Sequence, residues 1–158
     1  MFFTVLLSIA FLFSQPLVPV EAEYKPKEII EIQRSISPWK EHIDNYSEQY
    51  NIDASLITAV IHVESRGNPD AVSHVGAQGL MQIMPKTGKS LGLENAFDPE
   101  ENIRAGVMYI AMLMDQYNNN EYETLWAWNA GGRRVANKIM PRETRRFIDK
   151  VLLLKSQL

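Results

Sequence analysis

Residues 53–85 read DASLITAVIHVESRGNPDAVSHVGAQGLMQIMP and join a helical pattern to a run bracketed by glycines. Asp53 is a typical N-cap residue, because its side chain can accept from free amides of the first turn. Apolar residues then recur at helical spacing, at Leu56, Ile57, Val60 and Ile61. The next position on that face is Glu64. We therefore predict a core helix whose last turn carries the Glu64 carboxyl group. The helix is predicted to end at Arg66-Gly67, because glycine commonly ends helices.

A carboxyl group on an apolar face loses part of its hydration. Desolvation raises the pKa of the acid, so Glu64 is a candidate proton donor near neutral pH. The alternative is a glutamate at a frayed helix end, surrounded by water, as most glutamates are. The run after the helix, from Val75 to Pro85, carries almost no charge and contains two amide side chains. It is read either as a ligand-contacting loop or as a tight turn before a short buried helix.

The remaining segments also predict helices. Asp98-Pro99 is typical of a helix start, with Asp98 as the N-cap and Pro99 in the first turn. The predicted helix ends near Tyr117. It is the longest predicted helix and is assigned to the core. Ser37-Pro38 is interpreted in the same way, with a helix reaching Tyr50. Further helices are predicted over residues 86–91, 124–129, 133–139 and 141–154. Since no stretch alternates with period two, the predicted fold class is all-α, or mainly α.

Three motifs resemble those of the soluble lytic transglycosylase (SLT) catalytic domain. They are Glu64-Ser65, then Gly79-Leu80-Met81-Gln82-Ile83-Met84-Pro85, then Ala127-Trp128-Asn129-Ala130-Gly131. The resemblance covers about residues 43–154. It implies a lysozyme-like single domain with a glycan-binding groove.

The activity that this resemblance implies is cleavage of the MurNAc–GlcNAc β-1,4 bond in peptidoglycan. Glu64 would act first as acid and then as base, leaving a 1,6-anhydroMurNAc end. No second acid lies within the Glu64 motif; Asp70 is the nearest, and nothing in its loop places it opposite Glu64. Ordinary glycoside hydrolysis uses two carboxylates. A lysozyme-type hydrolase and a noncatalytic glycan-binding or assembly protein are the alternatives.

The resemblance also assigns a set of substrate-binding residues: Ser73, Gln82, Met84, Trp128, Asn129 and Glu143. Glu143 can equally be a first-turn acid that complements the helix dipole. Trp128 stands where the family usually has tyrosine, as does Phe147. An indole N–H only donates, so it cannot replace the tyrosine hydroxyl as an acceptor. We expect Trp128 to form an apolar wall and to leave Glu64 less firmly oriented.

Composition excludes several classes of site. The sequence has no cysteine, and its three histidines lack the H-E-x-x-H spacing of a zinc enzyme, so no metal or cofactor is expected. The net charge of −3 argues against nucleic acid as a partner. Basic residues nonetheless cluster near the C-terminus, at Arg133, Arg134, Lys138, Arg142, Arg145, Arg146, Lys150 and Lys155. They are interpreted as a solvated helix face or as a groove wall for an anionic polymer.

The N-terminus predicts export. Residues 1–13 are almost entirely apolar, and Val20-Glu21-Ala22 fits a cleavage site, so residues 1–22 are interpreted as a signal peptide. No Lys or Arg precedes the apolar core of this segment. Either the terminal amine supplies the positive charge or the true start lies upstream. The alternative to a signal peptide is an uncleaved membrane anchor. Residues 23–37 form a lead segment and 38–158 the catalytic domain. The predicted location is periplasmic or secreted, without a stable membrane anchor; the resemblance admits a secretion or pilus assembly apparatus as a partner.

Overall fold

The structure is a computed structural model that describes residues 24–158, so the predicted signal peptide lies outside the described residues. This part of the chain is built from α-helices, which confirms the mainly α prediction. In chain order they are α1 Pro26–Ile36, α2 Lys40–Tyr50, α3 Ala54–Ser65, α4 Pro85–Ser90, α5 Pro99–Gln116, α6 Glu121–Ala130, α7 Gly132–Ala136 and α8 Arg142–Lys155. No helix within residues 24–158 combines the length and apolarity that a bilayer crossing requires.

Helix α3 forms as its sequence predicts and lies at the centre of the core. The Asp53 carboxylate accepts from the Ser55 amide at 2.8 Å, and Arg66 ends the helix in a left-handed conformation with φ 57°. The apolar face of α3 is fully buried, at Leu56, Ile57, Val60 and Ile61. It packs against α2 and α8. Packing against α1 as well as α2 and α8 fixes the position of its last turn, which carries Glu64.

Helix α5 is the longest of the described helices, with 18 residues. The Asp98 carboxylate accepts from the Glu101 amide at 2.9 Å, as expected for an N-cap before proline. Gly106 lets the helix approach the 71–84 segment closely, because a Cβ at this position would lie 2.2 Å from Met81 Sδ. Helix α5 therefore serves as the support for that segment.

The lead segment is part of the same core. Ile32 and Ile36 of α1 are buried, and a 3-10 turn, Ser37–Trp39, joins α1 directly to α2. The prediction that Ser37 caps a new helix is wrong, since its hydroxyl donates to Arg34 O at 2.9 Å. The turn is fixed instead by the Trp39 indole, which donates to Gly67 O at 3.1 Å.

Candidate active site

A groove with a cavity of about 410 Å³ opens between the end of α3, the 71–84 segment, α5 and α6. Six of the seven residues predicted from the sequence line it: Glu64, Ser73, Gln82, Met84, Trp128 and Asn129. They come from three separate parts of the chain. The fold thus brings the three sequence motifs together on one surface.

Glu64 lies at the C-terminal end of α3, where it is partly buried. Desolvation raises the pKa of its carboxyl group to about 7, and the hydrogen bond from Trp128 acts in the opposite direction. An acid with this pKa is substantially populated in both protonation states near neutral pH. It can therefore give a proton and later accept one.

Trp128 orients the acid directly. Its indole Nε1 donates to Glu64 Oε1 at 2.9 Å, and its ring packs against Tyr109 with centroids 5.6 Å apart and planes inclined by 41°. The expectation that Trp128 leaves Glu64 less firmly oriented is therefore wrong. The indole makes the contact as a donor, and the same ring forms a wall of the cavity.

The segment between α3 and α4 is shaped by its own side chains. Ser73 Oγ accepts from the Ala77 amide at 2.9 Å and closes a turn. Gln82 adopts a left-handed conformation, with φ 50°, and its Nε2 donates to Ala71 O at 3.0 Å and Gly79 O at 2.8 Å. Because Nε2 is committed to the loop, Oε1 is the part of the Gln82 amide that can meet a ligand.

A buried asparagine on α5 holds the segment between α3 and α4 in place through hydrogen bonds. Asn102 is fully buried; its Oδ1 accepts from the Met81 amide at 2.8 Å. Its Nδ2 donates to Gln78 O at 3.2 Å and Ala96 O at 2.8 Å. Gly79 passes so close that a Cβ there would lie 2.2 Å from Asn102 Nδ2. Sequence reasoning missed Asn102, although a polar residue beside Ile103 on a core helix was an available signal.

Glu143 is the predicted site residue that does not line the cavity. It is exposed in the first turn of α8, the position in which an acid complements the helix dipole. Its neighbour Thr144 is buried, and Thr144 Oγ1 donates to Asn129 Oδ1 at 2.8 Å. The segment that carries Glu143 thus reaches the groove through Thr144, which sequence reasoning did not single out.

Two further observations concern residues around the groove. His62 and Glu64, two positions apart on α3, line different hollows, so they do not form a joint ligand pair. The exposed Arg134 of α7 donates through Nη1 to Ala130 O at 3.4 Å, and Ala130 lines the cavity. One member of the basic cluster therefore stands at the edge of the groove.

Comparison with known proteins gives concordant matches. The family model described as Transglycosylase SLT domain matches residues 41–150. A transglycosylase of Enterobacteria phage PRD1 is 48% identical over 99 residues, covering 63% of this chain and 37% of the relative. Membrane-bound lytic murein transglycosylase C of Sodalis glossinidius is 34% identical over 119 residues, covering 64% of this chain and 33% of the relative.

A solved structure shows a similar fold. It is an inactive glutamate-to-glutamine mutant of lytic transglycosylase Slt from Pseudomonas aeruginosa, with a TM-score of 0.65 and 29% identity. The match covers 73% of this chain and 23% of that protein. The chain spans about a third of the length of the curated relatives, at 37% and 33%. The likeness therefore concerns one domain of larger proteins.

Proposed function

The chain belongs to the Transglycosylase SLT domain family and has its lysozyme-like, mainly α fold, and from that membership we propose that it is a peptidoglycan lytic transglycosylase. It cleaves the β-1,4 bond between MurNAc and GlcNAc without water. The product carries a 1,6-anhydroMurNAc end.

One observation carries this proposal: Glu64 is the sole carboxylic acid among the described residues that line the groove. Hydrolysis with two carboxylates places them about 5–10 Å apart on either side of the bond. A site with one acid suits a reaction in which the substrate provides its own nucleophile. The pKa of about 7 matches a group that must alternate between acid and base.

The proposed reaction has two steps. The Glu64 O–H gives its proton to the glycosidic oxygen as the bond from that oxygen to MurNAc C1 breaks, and GlcNAc leaves with a free 4-hydroxyl. The Glu64 carboxylate then takes the proton from the MurNAc 6-hydroxyl while O6 bonds to C1. The acid ends protonated, so no further proton transfer is needed before the next cycle.

The groove offers suitable contacts for a glycan strand. Trp128 and Met84 present apolar surface for a sugar face, and Met84 is 42% exposed. Ser73, Gln82 and Asn129 present hydroxyl and amide groups. We propose these five as the substrate-binding residues, whereas the placement of Glu143 outside the cavity favours its helix-dipole role.

Product analysis tests the proposal. Purified sacculi are digested with the protein, and the released muropeptides are examined by mass spectrometry with and without borohydride reduction. We expect ends that are lighter than reducing ends by one water and that resist reduction. Reducible MurNAc ends would instead indicate a lysozyme-type hydrolase, and binding without any released product would indicate a noncatalytic glycan-binding protein.

The proposed substrate lies outside the cytoplasmic membrane, so we also propose a periplasmic or secreted location. The apolar start and Val20-Glu21-Ala22 support cleavage after residue 22, which leaves the lead segment 23–37 and the catalytic domain 38–158. Cleavage of peptidoglycan by this protein would open the cell wall for a secretion or pilus assembly apparatus, which must cross it. N-terminal sequencing of the exported protein is expected to begin at Glu23; recovery of Met1 would contradict cleavage.

A further inference from the structure

We propose that Thr144 is a positioning residue that fixes the side-chain amide of Asn129 with its N–H donors toward the groove. There they bind an acceptor oxygen of the N-acetylated glycan, either a sugar hydroxyl or an N-acetyl carbonyl. This inference rests on the proposed function and adds the chemical polarity of one contact in the groove.

The bond between the two residues joins helices that are distant in sequence. Asn129 lies near the end of α6, is exposed, and lines the cavity that contains Glu64. Thr144 lies in the first turn of α8 and is 1% exposed. Its Oγ1 is 2.8 Å from Asn129 Oδ1. A buried side chain thus holds an exposed one.

The chemistry of the pair gives the bond a direction. The Oδ1 atom of asparagine only accepts, so the Thr144 hydroxyl must donate. Oδ1 is thereby occupied on the side of α8, and the Asn129 Nδ2 remains with two N–H groups that have no hydrogen-bond partner within residues 24–158. The groove therefore receives donors from this residue, and these select acceptor atoms of the ligand.

The surroundings of Thr144 make it a firm support. Helix α8 packs against both α3 and α6, and the buried Phe147 and Ile148 follow Thr144 in the next turn. The Thr144 hydroxyl is therefore held in place by buried packing. It sets the amide before the ligand arrives, which lowers the cost of ordering that group on binding.

Two substitutions separate positioning from packing. Thr144→Val keeps the shape of the side chain and removes its donor, while Asn129, being exposed, can take water on Oδ1. Thr144→Ser keeps the donor. Asn129→Asp keeps an acceptor for the Thr144 hydroxyl but supplies no N–H. The matched control is Thr124→Val, because Thr124 is also buried, lies on α6, and donates to Met114 Sδ rather than to the site.

The experiment uses the full chain carrying Glu64→Gln, so that no turnover intervenes, and a soluble GlcNAc oligomer as the probe. Titration calorimetry gives its Kd, and ¹⁵N–¹H spectra follow the Asn129 side-chain amide. We expect Thr144→Val to shift that amide resonance and to weaken binding by about fivefold to tenfold, as for one hydrogen bond. Thr144→Ser and Thr124→Val should leave both the Asn129 amide resonance and the affinity for the oligomer unchanged. Asn129→Asp should weaken binding as much, and adding Thr144→Val to it should have no further effect.

Unchanged binding or an unchanged Asn129 resonance in Thr144→Val overturns the inference. An equal loss of affinity in Thr124→Val also overturns it, because general softening of the core would then be the cause. Anhydro-end formation on sacculi is measured separately, on the chain with Glu64 intact. If the binding results are as expected but this chain forms no anhydro ends, the proposed function alone is refuted. A protein that forms such ends with unchanged affinity in Thr144→Val refutes this inference alone.

Discussion

The indole Nε1 of Trp128 donates to Oε1 of Glu64 at 2.9 Å, which links the end of α6 to the end of α3. Because the indole has no acceptor, Oε1 must accept in both protonation states of the acid. The carbonyl oxygen of a protonated carboxyl group is the stronger acceptor, so this bond favours the proton on Oε2. Trp128 thus favours Oε2 as the oxygen that gives a proton to a ligand in the groove.

Substitution of Glu64 tests its role in proton transfer. Glu64→Gln keeps the size of the side chain and an oxygen that can accept from Trp128, but it has no acidic proton. We expect the rate of anhydro-end release from sacculi to fall by at least about 10³-fold, with binding of a GlcNAc oligomer retained. Retention of more than about a tenth of the wild-type rate would exclude Glu64 as the acid.

The raised pKa of Glu64 also has a consequence for stability. Its ordinary value is 4.5 and its value in the folded protein is about 7, so the folded state holds the proton more tightly. The stability contributed by this group is fully present below pH 4.5 and is lost as pH rises through 7. Glu64→Gln cannot ionise, so we expect it to unfold at a higher temperature than wild type at pH 8 but not at pH 4.

The size of this effect is bounded by the pKa shift, which corresponds to at most about 3 kcal/mol between the two pH values. Calorimetric unfolding of both proteins at pH 4 and pH 8 measures it. Asn137→Ala is the control, because Asn137 is exposed and does not ionise, so its substitution should leave the difference between the two pH values unchanged. Parallel pH profiles for wild type and Glu64→Gln would contradict the raised pKa.

Asn102 is expected to stabilise both the fold and the groove. Asn102→Ala leaves the Met81 amide and the Ala96 carbonyl without their side-chain partner, while the Gln78 carbonyl keeps only the Ile83 amide as a donor. Loss of several buried hydrogen bonds should cost about 2–4 kcal/mol, measured by urea unfolding. Asn137→Ala, at an exposed position, should change stability by less than about 0.5 kcal/mol. Equal effects of the two substitutions would show that Asn102 is not an anchor.

Local sequence signals predicted most of the helices, and the family resemblance predicted most of the residues that line the groove. Caps such as Asp53 and Asp98 act within a few residues, so their signals are visible in the sequence and their helices begin where expected. The resemblance located six residues that line the groove, because each motif is contiguous.

Contacts between distant residues could not be predicted in this way. Asn102 meets Met81 across 21 positions and Trp128 meets Glu64 across 64. No periodicity encodes such pairs, which depend on how the helices pack. Trp128 illustrates the difference, because its donor chemistry was known from the sequence while the carboxyl oxygen within its reach was not.

Trp128→Phe and Trp128→Tyr test the bond to Glu64. The sequence alone suggests that tyrosine would orient Glu64 better than Trp128 does and so raise the rate. Because the indole already donates to Glu64, we expect Trp128→Tyr to stay near the wild-type rate. Phe keeps most of the apolar wall but donates nothing, so its maximal rate should fall by about tenfold. The indole bond lowers the pKa of Glu64. Its removal should therefore raise that pKa.

The pH dependence separates this bond from simple packing. The reacting form carries protonated Glu64, so the wild-type rate should fall as pH rises above about 7. This fall in rate at high pH is the basic limb of the pH profile. In Trp128→Phe the basic limb should move to higher pH. In Trp128→Tyr it should stay where it is, because a hydroxyl can donate in place of the indole. Rates on purified sacculi across the pH range measure both. If the Phe variant instead kept the wild-type rate and the wild-type basic limb, Trp128 would serve only as a wall, and the proton on Glu64 would be placed by something other than the indole.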